Sequence, residues 1–540
     1  MKFINKIGAF CAASLLLAGC DMDRLPLTSF SEETFYDDEA NVKLALTGLY
    51  RGGISLGVDY SVADWWAYPA VALLDGVSDM GYDRRGFNNA LGKLTSGQLL
   101  DNNPWITNLY QKPYKRISSC CRFLDGLDKI ANQSEALNRM RAEARFIRAV
   151  QYFYLGSYYH DVPLVKTVLT LEEANSVSVS SRKEVLSYAA QELEEVAKIL
   201  PRHRDLPAFE LGRATAQAAL GYLARTYMVM EDWTNAAKAC KQIIDYGDNA
   251  IDPNYQTLFY QSGETSSEHI FATQFVDDLS GHGLPQHAYP IKDGGWCLVN
   301  ASNHLFESYD FKDGTKFSYD DPKFDKSHFG ANRDPRLDYT IYYDNQIFKG
   351  SVFDCDPETS AADKIGAGQH TQTGYLMRKY FDEGWSGNIN ACGTNMPLVR
   401  YADILLLYLE AKLKADGSVD QALLDATINQ VRGRASVGMP PITETDPTEL
   451  MKIIQKERMV ELAFEGWRLW DLYRWGIAVE KLNEDIYGSP FYVSNQDLIQ
   501  KKNGQRDKWD RWYVNKRKFK EGQSRWPLPL NEKNINPNLR

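Results

Sequence analysis

The sequence predicts a mainly α-helical protein, with a tetratricopeptide-repeat-like scaffold interrupted by long irregular insertions. Three observations carry that prediction. From about Thr34 to Leu200, apolar residues recur at three- and four-residue steps, the spacing of amphipathic helices. In "QAALGYLARTYMVMEDWTNAAKACKQII", Leu220, Leu223, Ala224 and Tyr227 occupy the large, large, small and large places of a first repeat helix. After the turn, Ala236, Cys240 and Ile243 occupy second-helix places. Finally, residues 250–395 lose the helical period and become rich in Gly, Asp, Asn and aromatics.

At the N-terminus, Lys2 and Lys6 precede the apolar run "IGAFCAASLLLA", and "LAGC" ends at Cys20. The run is too short to span a bilayer as a helix and reads as a cleavable export signal over 1–19. Small residues before a cysteine resemble the bacterial lipobox, which makes Cys20 the lipidated first residue of the mature chain. Residues 20–35 read as a tether, polar and with Pro26. The acidic "DMD" that follows Cys20 resembles a surface-display signal of some Gram-negative bacteria.

The remainder, 36–540, reads as one domain. Its helical scaffold covers about 36–250 and 395–480, its irregular insertion about 250–395, and its irregular tail 482–540. Within the scaffold, "SRKEVLSYAAQELEEVAKILP" opens with a serine cap and closes at Pro201. A poorer copy of the repeat lies in "YADILLLYLEAKLKADGSVDQALLDATINQVRGRA". There Ala422 and Ala426 take the small places and Glu410 replaces a small residue. In the tail, the Lys/Arg run of "NKRKFK" reads as a solvated face.

Composition narrows the function. The 540 residues carry a formal charge of −10, which gives no electrostatic reason to bind nucleic acid. No phosphate loop, zinc-type CxxC pair or HExxH occurs. His282 and His287 match no known metal-ligand spacing, and no EF-hand spacing occurs. Aromatics reach 12%, with 31 Tyr and 12 Trp, and need housing in a core or on a binding surface. Besides Cys11 and Cys20, six cysteines remain, and their pairing is open. Adjacent Cys120 and Cys121 are expected as small buried hydrophobes.

"ERMVELAFEGWRLWDLYRWG", Glu457 to Gly476, looks the most catalytic. Glu457, Glu461 and Glu465 recur every four residues beside tryptophans, as a glycosidase would need. The same stretch also reads as a salt-bridged scaffold helix. Arg458 can meet Glu461 at three residues' spacing, as can Glu465 and Arg468, Arg468 and Asp471, and Asp471 and Arg474. Close cations favour permanent ionisation over the raised pKa of a general acid.

The ordered set "AEARFIRAVQYFYLGSYYHDVPLV", "GRATAQAALGYLARTY", "PLVRYADILLLYLEAK", "ERMVELAFEGWRLWDLYRWG" and "WPLPLNEKNINPNL" closely resembles the SusD/RagB family over nearly all the mature chain. Asp403 and Tyr408-Leu409 depart from its usual residues. The resemblance implies a scaffold of about four helix pairs and a non-enzymatic, surface-exposed outer-membrane lipoprotein. Such a protein delivers oligosaccharides, sometimes peptides, to a SusC-like TonB-dependent transporter, with no cofactor beyond an optional structural calcium.

A sugar site needs exposed aromatic faces flanked by Asn, Asp, Arg or Gln. Two irregular segments supply these. The first carries Trp65, Trp66, Tyr68, Tyr82, Arg84, Arg85 and Asn88, with one of the two adjacent tryptophans expected to face outward. The second carries His287, Tyr289, Asp293, Trp296 and Asn300, with Trp296 favoured because two glycines precede it. Trp385, near Asn388, is a further candidate. Two other functions stay open: a surface glycoside hydrolase, and a scaffold that binds only protein or peptide.

Overall fold

The computed structural model describes residues 36, 39–51, 64–66, 68–131, 133–366 and 368–540. The signal, Cys20 and the tether lie outside the described residues.

The helical scaffold begins with α1 (Glu39–Tyr50) and α2 (Tyr68–Asp75) and continues through α3 (Pro104–Asp128), α4 (Glu135–Tyr158), α5 (Arg182–Val196), α6 (Ala216–Val229) and α7 (Trp233–Tyr246). After the insertion come α8 (Tyr401–Asp416), α9 (Gln421–Ala426), α10 (Ile428–Arg432), α11 (Pro447–Glu461) and α12 (Arg468–Arg474). Local chemistry sets the ends. Asn103 caps α3 ahead of Pro104, and Ser134, Thr215 and Asp232 cap α4, α6 and α7. Ser181 and Glu184 form the reciprocal capping box of α5. Gly247 and Gly417 end α7 and α8 in the left-handed region.

From α3 to α8 each helix packs on the next, and α8 packs on α11. This is the repeat array that the spacing predicts. Leu220, Leu223 and Ala224 of α6 and Ala236, Cys240 and Ile243 of α7 are buried where the two helices meet; Tyr227 is half-buried. At Gly156 of α4 the approach of α5 is so close that a Cβ would lie 2.8 Å from Leu186.

The poorer repeat copy departs from expectation. Ala422 and Ala426 are exposed; α9 buries only Leu424, and the chain breaks at Thr427 before α10. A six-residue helix cannot carry small residues along a full packing face. The buried Glu410 is accommodated by charge: its carboxylate accepts from Arg474 at 2.5 and 2.7 Å and from Trp475 Nε1 at 2.8 Å.

The insertion is structured without long elements. Strands β1 (Gly81–Asp83) and β3 (Val299–Ala301) pair antiparallel, as do β2 (His269–Thr273) and β4 (Met396–Arg400). The aromatic excess is housed here as well as in the scaffold. Phe306, Phe317, Phe324, Phe329 and Tyr375 pack ring against ring, with the Arg333 guanidinium 3.6 Å from the Phe317 centroid. In the tail, β5 (Asp485–Pro490) pairs with β6 (Arg511–Lys516). Its basic run is only half a solvated face: Lys516, Lys518 and Lys520 are exposed, while Arg517 and Phe519 turn inward and Arg517 donates to Gly81 O. Extended backbone alternates sides, so a run of cations cannot all face water.

None of the six described cysteines forms a disulfide, and all are buried, Cys120 and Cys121 included.

Candidate functional site

Pairing of β1 with β3 brings the two irregular segments together. Gly81 faces Ala301, Tyr82 faces Asn300, and Asp83 faces Val299; one residue on, Arg84 N donates to Leu298 O at 3.1 Å. The chain beyond Asp83 therefore runs beside the chain ahead of Val299. That places Arg84, Arg85 and Asn88 next to the turn carrying Trp296.

That turn is glycine-dependent. Gly294 has a φ of +84°, and a Cβ on Gly295 would sit 2.1 Å from Tyr289 O. Gln286 closes the turn: its Nε2 donates to Gly294 O at 2.6 Å, and its backbone oxygen accepts from Trp296 N at 2.9 Å. Trp296 is half-buried, its indole tilted 5.5 Å from the His287 ring. Burial, and then the charge of Arg85, pushes the buried His287 down to about 3, so it stays neutral at ordinary pH. The Arg85 guanidinium is bound to Asp83 at 2.6 and 2.9 Å. Asn88 is exposed at the end of a short turn, while Arg84 and Asp293 are half-buried. Trp296 is thus a half-buried indole on a turn whose neighbouring strand runs on into Arg84 and Arg85.

Other candidates are interior. Trp65 and Trp66 are both buried, contrary to the expectation that one faces outward. Trp65 stacks 4.6 Å from Tyr154 and 4.7 Å from Tyr158, and its Nε1 donates to Leu109 O. Trp66 lies under Arg116 and against Phe271. The helices drive this, because α3 and α4 present the Arg116 and Tyr154 that the indoles cover. Tyr289 is buried edge-on between Phe348 and Phe381. Tyr82 is buried too, with its hydroxyl accepting from Asn515. Asn300 is a buried strut, donating to Cys297 O and accepting from Gln372 N at 2.8 Å. Tyr68 opens α2, and its side chain is not among those described. Trp385 is held by Lys349, which donates to its carbonyl, and by Asp277 near its Nε1. Gly387 packs directly on its ring, which covers a face that stacking would need.

Residue-level reading missed Phe87, half-buried on the turn beside Asn88, and Lys349, whose Nζ sits 5.0 Å over the Tyr289 ring. Phe87 had a signal, an aromatic beside an amide in a glycine turn. Lys349 had none.

The stretch that looked catalytic is a closed ionic knot. Five carboxylates (Glu268, Asp334, Glu457, Glu461, Glu465) meet five cations (Arg336, Lys379, Arg400, Arg432, Arg434), all buried. Glu461 accepts from Arg434 at 2.9 Å, from Arg336 at 3.0 Å and from Arg400 at 3.1 Å. Burial alone would raise its carboxyl, but Arg434, Arg400 and Arg336 bring it down to about 2. Glu465 is likewise lowered against its burial, by Arg400 and Lys379.

Of the four local pairs expected, Asp471–Arg474 forms, at 2.8 Å. Arg458 instead binds Asp403 and Asp471, Glu465 binds Arg400 and Lys379, and Arg468 binds Asp79. Backbone accounts for Glu465–Arg468: α11 stops at Glu461, and Phe464 and Gly466 have φ of +61° and +81°, so helical spacing does not run through them. Arg458–Glu461 and Arg468–Asp471 each lie within one helix, and there the buried partners from other segments win. The atypical Asp403 is well used, bridging Arg225 and Arg458 at 2.7 Å each.

Among the described residues, no group of three or more His, Cys, Asp or Glu is placed to hold a metal ion, and no helix is long and apolar enough to cross a membrane.

An array of paired helices that supports a half-open aromatic surface defines a helical-repeat binding scaffold. The chain belongs to the SusD family, whose model matches residues 259–540; a second model, described as starch-binding and associating with the outer membrane, matches residues 87–228. A crystal structure of a SusD-like carbohydrate-binding protein from Bacteroides fragilis is 48% identical. It covers 94% of this chain and 100% of its own, with a TM-score of 0.91. Surface glycan-binding protein A from Bacteroides thetaiotaomicron, in complex with laminarihexaose, shares the fold at 19% identity. It covers 93% of this chain and 98% of its own, with a TM-score of 0.68. SusD-like protein P2 of Formosa agariphila is 24% identical over 529 residues, 91% of this chain and 94% of its own.

Proposed function

We propose that this protein is a non-enzymatic glycan receptor that binds an oligosaccharide on the surface formed by Trp296, Arg84, Arg85 and Asn88. The observation that carries the reading is the β1–β3 pairing, which brings the segment of Arg84 and Asn88 and the turn of the half-buried Trp296 into neighbouring chain. An aromatic face flanked by hydrogen-bonding groups suits a sugar ring, which has apolar C–H faces and a hydroxyl rim. Support comes also from relatives whose names describe carbohydrate or glycan binding, one of them complexed with laminarihexaose. In this reading Cys20 carries lipid and holds the protein on the outer membrane, facing the exterior. The glycan passes to a SusC-like TonB-dependent transporter, and no cofactor takes part.

Binding is tested by isothermal titration against a panel of glycans and peptides. Trp296→Ala weakens binding of the best ligand about tenfold or more with little change in melting temperature. A wild-type protein that no glycan in the panel stabilises or binds would overturn the reading, and binding of peptides alone would replace glycan with peptide. The hydrolase reading is disfavoured by Glu461, ionised and triply paired; pure protein therefore releases no reducing sugar. The anchor is tested by Cys20→Ala, which releases the protein from membranes; continued tight association overturns it.

A further inference from the structure

One cavity shares no residue with the proposed glycan surface. It is an apolar groove of about 470 Å³ between α1, the end of β2 and the turn at residues 211–213. Leu44, Leu46, Trp66, Leu211, Phe271 and Phe275 form its walls. We propose that this groove binds a single long-chain fatty acid, the hydrocarbon along the walls and the carboxylate at a cationic rim.

Size and shape fit one chain. The volume lies in the ordinary range of small-molecule sites, roughly 300–1,000 Å³. It is about three times the ~150 Å³ apolar cavity that holds one benzene ring, which leaves room for roughly sixteen to eighteen carbons. Polar recognition of sugar hydroxyls is poorly served by such walls.

Charge supplies the second argument. The described residues that line the groove include Lys43, Arg51 and Arg213 but no Asp or Glu, in a chain whose formal charge is −10. Arg213 is committed to Glu143 and Glu210. Lys43 is half-exposed and only loosely placed against Glu210, at 3.9 Å, and Arg51 is exposed. Lys43 and Thr47 share one stripe of α1, and Arg51 follows at the next four-residue step just past the helix end, beside the apolar walls. An anionic head on an apolar tail matches that stripe and those walls; a neutral amphiphile matches only the walls.

Gly48 makes the groove testable. It lines the cavity, its φ is ordinary, and a Cβ placed there meets no atom within 4 Å. Gly48→Phe therefore starts from an unobstructed Cβ, sets a ring at the groove and removes a helix-weakening glycine. Palmitate, added below its aggregation concentration to the mature protein, is expected to bind saturably and to raise the melting temperature. Shorter fatty acids bind more weakly, by up to about fourfold for each methylene lost. Gly48→Phe lowers palmitate affinity by about tenfold or more while leaving glycan binding intact. If that variant folds poorly, Leu44→Asp, at a side chain already 64% exposed, carries the same expectation. Lys43→Ala with Arg51→Ala weakens palmitate roughly three- to tenfold and leaves hexadecanol unchanged. Absence of saturable palmitate binding overturns the proposal, as does equal binding by Gly48→Phe and Leu44→Asp. Hexadecanol that binds as tightly as palmitate and is equally indifferent to both charge removals overturns the carboxylate site. Because glycan binding is read separately, failure here leaves the glycan reading standing, and the converse also holds.

Discussion

The ionic knot around Glu461 and the open surface around Trp296 use the same residue types to opposite ends. Both combine carboxylates, arginines and tryptophans. In the knot every charge is buried and met by partners from distant segments: Glu268 from just ahead of β2, Arg336 from the insertion, Arg400 from the end of β4, Glu457 from α11. Such a cluster fixes four segments relative to one another and leaves no group free to exchange a proton or meet a ligand. At the surface, Arg85 keeps its partner Asp83, but Asn88 and part of Trp296 face solvent. Chemical richness therefore marks structure in one place and, in the proposed function, recognition in the other. What separates them is whether the polar groups are already spent on each other.

The comparison breaks most sharply at Arg400. Arg400→Ala leaves Glu268, Glu461 and Glu465 buried with a missing partner, and breaking a buried pair costs about 3–5 kcal/mol; a urea melt that shifts by less than half of this places the knot's worth elsewhere. Trp65→Ala tests whether the interior tryptophans belong with the knot. Removing an indole stacked on Tyr154 and Tyr158 costs about 3–5 kcal/mol by cavity formation, and the effect on glycan affinity follows only from lost folding.

Acid should separate the two regions. Glu461, at about 2, lies below its ordinary value near 4.5, so its stabilisation is full above that value and fades as pH falls from there toward 2. His287, at about 3, lies below its ordinary 6.5. The unfolded chain takes up a proton first, and stability falls as pH drops from 6.5 toward 3. His282, lowered by burial to about 4, adds to the same early window. His287→Gln therefore makes the loss between pH 6.5 and 4.5 shallower without altering the steeper loss below. Equal slopes for wild type and variant in a pH series of denaturant melts would contradict this. The smallest stability effect belongs to Trp296→Ala, within about 1 kcal/mol for a half-exposed side chain, even though its effect on glycan affinity is the largest of the set.

The scaffold was legible because helices write a period into the chain. Leu220, Leu223, Ala224, Ala236, Cys240 and Ile243 all fall where repeat spacing puts them. The reading failed where local spacing no longer meant local geometry. Residues 457–474 look like one helix, yet positive φ at Phe464 and Gly466 turns the chain between Glu465 and Arg468, and buried partners far along the sequence draw in Arg458, Glu465 and Arg468. At the candidate site, the two segments that composition picked pair in space, and the glycines before Trp296 mark a turn. Composition could not rank Trp65, Trp66, Tyr289 or Asn300, because in irregular chain the burial of a side chain depends on what packs over it from elsewhere. Asn300 illustrates this: its partners Cys297 and Gln372 come from a neighbouring turn and from a loop seventy-two residues away.

The unpaired cysteines turn this division into something that can be timed. Cys120, Cys121 and Cys240 sit in the helical array, Cys297, Cys355 and Cys392 in the insertion, and none is bridged. A buried thiol reacts with a bulky disulfide reagent only when its surroundings open, so each sulfur acts as a clock for its own neighbourhood. The protein as it stands, without an introduced label, thus contains two sets of three reporters. Peptide mapping of the modified chain would show whether the insertion breathes before the helical array that supports it.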